Sequence, residues 1–354
     1  MPERKQGVAI IGAGMVADTH LRALAELAPA VEVVGVYTRT PDRARAFAAR
    51  AAEVLGHDIE VFSGLDAAVA HDAVTWALVL TPPDARQGVV EAFAGAGKAV
   101  LLEKPVERTL ANAVSIVETC ERLRVPLGVV FQHRTRQASR RLASMIAAGE
   151  LGALALGEAV VPWWRAQAYY DEPGRGTFTR DGGGVLISQA IHTLDLLMAL
   201  AGRVVEVQAM AATSTLHDME AEDYVVSGLR FENGAIGSLI ASTASYPGAA
   251  ESVTLHFERA VVRLASGVLH IEWRDGQSET LGDIAGTGGG ADPMAFTHDW
   301  HRDVLADFVD ALTKGRPPMV TGRAALKVHA LIDGLIQSSR EKRAVTINYP
   351  EKLT

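Results

Sequence analysis

Two short stretches bring together side chains able to handle a proton and a developing negative charge. Glu103-Lys104-Pro105 closes an apolar run, setting an ammonium beside a carboxylate and ahead of a proline that restrains the turn. Placed there, Lys104 can hydrogen-bond a substrate oxygen and stabilise charge as hydride leaves or arrives at the neighbouring carbon. The bland reading of the same residues is a surface ion pair in a loop. The second stretch runs Gly182-Gly183-Gly184-Val185-Leu186-Ile187-Ser188-Gln189-Ala190-Ile191-His192-Thr193-Leu194-Asp195. On a helix, Ser188, His192 and Asp195 lie at spacings of four and three and share a face, while Leu186, Leu194, Leu197 and Leu200 supply core contacts. An imidazole titrates near neutral pH, so His192 suits the exchange of a hydroxyl proton. A lone helical histidine is more often structural, and it is the company of these residues that favours the chemical role. Gln189 and Asp195 join Lys104 and His192 as expected substrate contacts.

Aromatic residues, scarce elsewhere, gather just upstream in Val161-Pro162-Trp163-Trp164-Arg165 and Tyr169-Tyr170. Trp164, Arg165 and Tyr169 suit a polyhydroxylated ring, which offers apolar C–H faces and many hydroxyls, and Arg165 equally suits a carboxylate or phosphate. The alternative is that the tryptophans belong to a core or subunit interface. His298 and His301 form an H-x-x-H at a helix start, but no third ligand lies near in sequence, so two exposed histidines are expected and no metal.

These residues need a scaffold, and the first 130 residues describe one. Val8 to Ile11, Val31 to Tyr37, Thr75 to Leu80, Ala99 to Leu102 and Leu127 to Phe131 are apolar runs separated by helical periodicity, including Met15 to Leu27 and Pro41 to Leu55. That alternation predicts a parallel sheet with helical crossovers, whose ligand crevice lies beyond the carboxyl ends of its strands. Gly12-Ala13-Gly14-Met15-Val16-Ala17 follows the first run as a G-x-G-x-x-A opening a helix: a tight turn, a close approach to a pyrophosphate and a small residue for helix packing. With strand, helix and second strand in place, the motif predicts a dinucleotide at Gly12, Gly14, Met15 and Val16. The second strand ends on Thr38 and Arg39, with no acidic residue for a ribose 2′-hydroxyl. A hydroxyl and a guanidinium suit a 2′-phosphate, which favours NADP over NAD, unless Arg39 only stacks on adenine. Thr81-Pro82, Glu103 and Lys104 fall at later strand ends, on the cofactor side.

From residue 131 to 354 the pattern changes. Tyr224 to Phe231 and Ala235 to Ser245 flank Glu232-Asn233-Gly234, a hairpin signal, so this half is expected to hold an antiparallel sheet. Helices are expected over Val185 to Ala201, Thr297 to Thr313 and Arg323 to Glu341. Gly286 to Ala291 reads as a mobile loop, either plain or a lid.

The formal net charge is −8, with Lys and Arg dispersed, which gives no basic patch for nucleic acid. No apolar run approaches a membrane span, Cys120 is the single cysteine, and Met1 to Gln6 lacks a secretory pattern; a cytoplasmic protein with small-molecule ligands is expected.

The glycine motif followed by His20, the Thr81-Pro82 turn, Glu103-Lys104-Pro105, Gln132 and Arg134, and the glycine run leading to His192 and Asp195 together resemble the Gfo/Idh/MocA oxidoreductases. The resemblance extends to Ser338-Ser339-Arg340 near the end of the chain. It implies an α/β chain: an N-terminal Rossmann domain and a C-terminal α+β domain with a large, mostly antiparallel sheet used in assembly to a homodimer or homotetramer. It further implies Lys104 and His192 as the catalytic pair, Gln132 near the nicotinamide, and NAD(P)-dependent oxidation of a secondary alcohol in a sugar, sugar derivative or inositol. Two departures stand out. Many members carry an aspartate at the place of Ser188, although sugar-nucleotide 3-dehydrogenases have asparagine there. A histidine is common at the place of Arg86. The missing carboxylate keeps open a non-catalytic, dinucleotide-bound regulator, and the scaffold also admits a reductase of a non-sugar substrate resembling dihydrodiol dehydrogenase.

Overall fold

The computed structural model describes residues 5–284, 286, 288–290, 294 and 296–351. Six strands make the first sheet: β1 (Gln6–Ile11), β2 (Val31–Tyr37), β3 (Glu60–Val61), β4 (Trp76–Val79), β5 (Ala99–Leu102) and β6 (Leu127–Val129). They lie in the order β3-β2-β1-β4-β5-β6, all pairs parallel. Nearly every residue of β1, β4 and β5 is buried, as expected for strands covered by helices on both faces. The order reverses between β1 and β4, the switch point at which such sheets open a ligand crevice.

One cover comes from far away in sequence. The helix Asp299–Lys314 lays Val304, Leu305, Phe308 and Val309 into the same buried cluster as Val8, Ile10 and Leu78, and the Phe308 ring packs 5.3 Å from Trp76. The helix Gly322–Glu341 packs on the second sheet.

That second sheet has nine strands: β7 (Leu154–Pro162), β8 (Val204–Ala212), β9 (Tyr224–Phe231), β10 (Ile236–Ser242), β11 (Ser252–Phe257), β12 (Ala260–Ala265), β13 (Val268–Trp273), β14 (Ser278–Leu281) and β15 (Val345–Thr346). Their order is β14-β13-β12-β11-β7-β10-β9-β8-β15, and only β7 with β10 is parallel. Asn233-Gly234 turns the β9–β10 hairpin, with Gly234 at φ 89°. Alternation separates the faces. Val207, Leu229, Leu239, Ala159, Leu255 and Val262 are buried under the helices, while Met210, Ile236 and Ile240 are 64%, 51% and 37% exposed on the other side.

Three expectations are corrected. The stretch Val185 to Ala201 is not one α-helix: Leu186–Ala190 is a π turn, and the α-helix proper is Ile191–Ala201. The helix after the glycine motif starts at Ala17, leaving Met15 and Val16 in the turn. Of the glycine-rich segment, Thr287 and Ala291 lie outside the described residues; Gly288 and Gly289 are buried, and the carbonyls of Gly288, Gly289 and Gly290 all accept hydrogen bonds from Trp164 or Arg165. Glycine permits this close packing, since a Cβ at Gly289 would sit 2.7 Å from the Trp163 ring.

Candidate active site

The ends of β4, β5 and β6 deliver Thr81-Pro82, Glu103-Lys104 and Gln132 to one rim. Arg86 joins the first two. Its Nε donates to the Thr81 carbonyl at 2.9 Å and its terminal nitrogens to the carbonyls of Glu103 and Lys104. Burial pushes this guanidinium down to about 10, with Glu103 opposing, so it stays charged. Arg86 is therefore a strut between the Thr81-Pro82 and Glu103-Lys104 turns.

Burial by itself would raise the Glu103 carboxyl, but the hydrogen bond from His20 Nε2 at 2.8 Å, with the charges of His20, His301 and Lys104, lowers it to about 2. His301 is not exposed as expected. It is 2% accessible, its Nε2 lies 3.9 Å from Glu103 Oε1, and its ring meets His20 edge-on at 4.9 Å. The ligand atoms of His20, Glu103 and His301 fall within 4.8 Å of one another, a grouping that the H-x-x-H spacing conceals because two of its members are some 200 residues or more away. With His20 and the Lys104 and Arg86 cations around it, the carboxylate already has its positive partners.

Lys104 is half-buried, and its Nζ donates to the Ser188 carbonyl at 2.8 Å, inside the π turn. Desolvation, reinforced by Arg86 and Arg175 and opposed by Glu103, lowers its pKa to about 8. His192 faces the same cavity, of about 260 Å³, across from Lys104. Burial and then Lys104 hold its pKa well below the ordinary imidazole value, so it is neutral at neutral pH. Phe131 packs edge-on against its ring at 5.9 Å and His133 stacks on it at 5.1 Å. Glu222 organises the segment from below, its carboxylate accepting from Gly184 N at 3.2 Å and Leu186 N at 3.1 Å.

Asp195 does not share this cavity. Its carboxylate is 1% accessible and takes a two-pronged ion pair from Arg134, at 2.6 and 2.5 Å. The wide π turn rephases the helix after Ser188, and a buried carboxylate needs such a partner to stay charged. Gln189 and Tyr169 do line the cavity, with Gln189 Nε2 donating to the Tyr169 hydroxyl at 3.4 Å. The tryptophan on the wall is Trp163; Trp164 turns away to pack on His217 and Tyr246. Arg165 reaches the cavity, but its terminal nitrogens donate to the carbonyls of Trp164, Gly288 and Gly290 at 2.7–2.8 Å, anchoring the wall.

A second cavity, about 350 Å³, shares Gly14, Met15, Leu80 and Arg175 with the first and runs on to Thr38, Arg39 and Arg43. Its residues fit a dinucleotide. Gly12 has φ 103°, and a Cβ there would lie 2.9 Å from the Leu80 carbonyl carbon, whereas a Cβ at Gly14 would come no nearer than 4.0 Å to the Leu80 carbonyl oxygen. Thr81 Oγ1 and Gln132 Oε1 are buried without a hydrogen-bond partner among the described residues, as expected of groups awaiting a ligand.

A family model described as "Oxidoreductase family, NAD-binding Rossmann fold" matches residues 6–131, and one described as "GFO/IDH/MocA C-terminal domain" matches residues 139–263. The chain belongs to the Gfo/Idh/MocA oxidoreductases. Among relatives of this family, D-apiose dehydrogenase of Paraburkholderia graminis is 25% identical over 351 residues, covering 96% of this chain and 89% of that protein. Inositol 2-dehydrogenase of Rhizobium meliloti is 24% identical over 348 residues, covering 96% and 98%. The WlbA dehydrogenase of Bordetella pertussis, solved with NADH and UDP-GlcNAcA, superposes with a TM-score of 0.82 at 26% identity over 98% of this chain and 99% of that one. Levoglucosan dehydrogenase, solved with NADH and levoglucosan, shares the fold at a TM-score of 0.84 and 18% identity, over 97% and 99%.

Within this oxidoreductase several site residues escaped sequence reasoning. Arg43 stands four residues after Arg39, across a Thr-Pro that opens a helix, and that basic spacing was a usable signal. Arg175 sits in a Pro-Gly-Arg-Gly turn with its Nη1 donating to the Tyr169 hydroxyl at 2.8 Å, and nothing local marks it. Arg136 meets Glu251 at 2.9 Å across 115 residues, a pairing visible only in three dimensions.

Proposed function

We propose that the chain oxidises a secondary alcohol of a sugar, sugar derivative or inositol, or reduces the ketone, with NADP(H) as preferred cofactor. The observation that carries this reading is convergence: Lys104 from the first sheet and His192 from the second domain line one cavity, which opens into the dinucleotide crevice. A nicotinamide bound there would take or return the hydride. Lys104, charged at neutral pH, donates to the carbinol oxygen and stabilises its developing charge. His192, neutral in the resting protein, accepts the hydroxyl proton. Tyr169, Trp163 and Gln189 supply aromatic faces and an amide for a hydroxylated ring. The substrates named for D-apiose dehydrogenase and inositol 2-dehydrogenase, and the sugar nucleotide bound to WlbA, support the class.

NADP is favoured by Arg39 and Arg43 at the adenosine end, where both line the crevice together with Thr38 and Thr40. Assembly through the open face of the second sheet is favoured by a row running Met210, Val226, Ile240 and Val160 across four paired strands. Such a face suits a homodimer or homotetramer. No helix among the described residues is long and apolar enough to cross a membrane, and a single buried thiol, Cys120, suits the cytoplasm. The test is turnover with NAD⁺ and NADP⁺ against inositols, aldoses, sugar acids and UDP-sugars, followed at the reduced-nicotinamide absorbance. Turnover with a hydroxylated ring and a lower KM for NADP⁺ is expected; dinucleotide binding without turnover across the panel refutes the reading.

A further inference from the structure

Among the described residues no carboxylate pairs with His192, and its Nδ1 is buried without a hydrogen-bond partner. Besides the edge-on Phe131, the group packed on the ring is the stacked imidazole of His133. His133 is itself 2% accessible, with Nε2 3.6 Å from Glu251 Oε1. The same Glu251 oxygen accepts from Arg136, whose guanidinium carbon lies over the Trp300 ring, 3.9 Å from its centroid. Behind this group is another, small space of about 10 Å³ lined by His133, Arg136, Thr193 and Glu251, among others.

Each of these four residues carries a buried polar atom with no partner among the described residues: His133 Nδ1, Arg136 Nε, Thr193 Oγ1 and Glu251 Oε2. All four are more than nine-tenths buried. Four orphaned groups around one small space are improbable in a folded protein unless something satisfies them. The volume matches one water, and a water has the right valence: it accepts from Arg136 Nε, donates to Glu251 Oε2, and meets the Thr193 hydroxyl and the His133 nitrogen in whichever sense remains.

We propose that His133 is the positioning residue for His192, and that Glu251 and one water bound in this cavity hold His133 in place. The inference rests on the proposed oxidoreductase reading only for its kinetic consequence. His133 lines the same cavity as Lys104 and His192; stacked on the His192 ring, it covers one face of that ring and sets its plane. The charged and titratable groups around the pair are Lys104, Glu103, His301, Arg136 and Glu251.

The test is long-range ¹H–¹⁵N NMR of histidine-labelled wild type, His133→Ala and His133→Phe, titrated from about pH 4 to 9 without substrate. In the wild type and in His133→Phe, which keeps an aromatic cover, His192 is expected to stay neutral. In His133→Ala, water reaches the ring and His192 titrates toward 6.5, its ordinary value. The acid limb of kcat/KM moves up with it, and kcat falls roughly 10-fold or more at unchanged KM for the dinucleotide. His192 titrating alike in His133→Ala and the wild type, or alike in the two variants, overturns the positioning role. A high-resolution crystal structure of the wild type shows the water, and an empty cavity overturns that half. Absence of turnover in the wild type would refute the proposed function and leave the NMR result to decide this inference.

Discussion

Replacing Lys104 by methionine should make the protein inactive and more stable, and the second effect has a definite sign and pH window. Burial moves the Lys104 pKa from 10.5 to about 8. At about 1.4 kcal/mol per tenfold, holding the charged lysine in the folded state costs roughly 3 kcal/mol below pH 8. Methionine keeps the stem and carries no charge to desolvate. It also loses the 2.8 Å hydrogen bond to the Ser188 carbonyl and the support Lys104 gives Glu103, which takes back roughly half. The net gain is about 1–2 kcal/mol near pH 7. For a chain of 354 residues, an unfolding entropy of about 2.1 cal/mol/K per residue converts this to a rise in Tm of roughly 2 °C. Between about pH 8 and 10.5 the unfolded wild type holds more protons than the folded one, so wild-type stability climbs and the advantage of the variant shrinks. Thermal unfolding of both proteins at pH 7 and 9.5, with turnover measured alongside, checks the argument. A Tm that falls in the variant, a difference that ignores pH, or turnover within tenfold of the wild type would each refute it.

Asp195→Asn should leave KM for substrate and dinucleotide unchanged while lowering stability by about 3 kcal/mol in chemical denaturation, since it strands Arg134 beside a buried amide. Arg43→Ala should weaken NADP⁺ binding about 10- to 100-fold and NAD⁺ binding less than twofold, measured by calorimetry, if the proposed 2′-phosphate is what this guanidinium at the adenosine end of the crevice meets.

The first sheet was legible because its strands are short, fully buried runs whose punctuation by helical periodicity has few other solutions. β2 and β5 have the bounds their residues predict, and only β3, two residues long, carries too little pattern to read. That Lys104 and His192 meet in one cavity was legible for a different reason: each sits in a turn or glycine-led segment whose local chemistry is unusual. Asp195 and Trp164 were misassigned because neighbouring residues in sequence point to different sides. A π turn shifts the phase of one, and the alternation of an extended chain puts Trp163 rather than Trp164 on the cavity wall. The residues behind the site, His133, Arg136, Glu251 and His301, were unreadable because their meaning lies in partners 100 residues or more distant.

The helix Asp299–Lys314, which completes the packing of the first sheet, sets the order in which the chain can mature on the ribosome. The six strands have all emerged once residue 129 is out, yet the apolar flank that Leu305 and Phe308 cover stays open until about 180 further residues follow. At roughly 5–20 residues per second that is an interval on the order of 10–40 s. During it the nascent sheet exposes Trp76 and its neighbours to solvent, so chaperone engagement should concentrate on chains stalled before residue 305, and a fragment ending at residue 130 should aggregate more readily than the full chain.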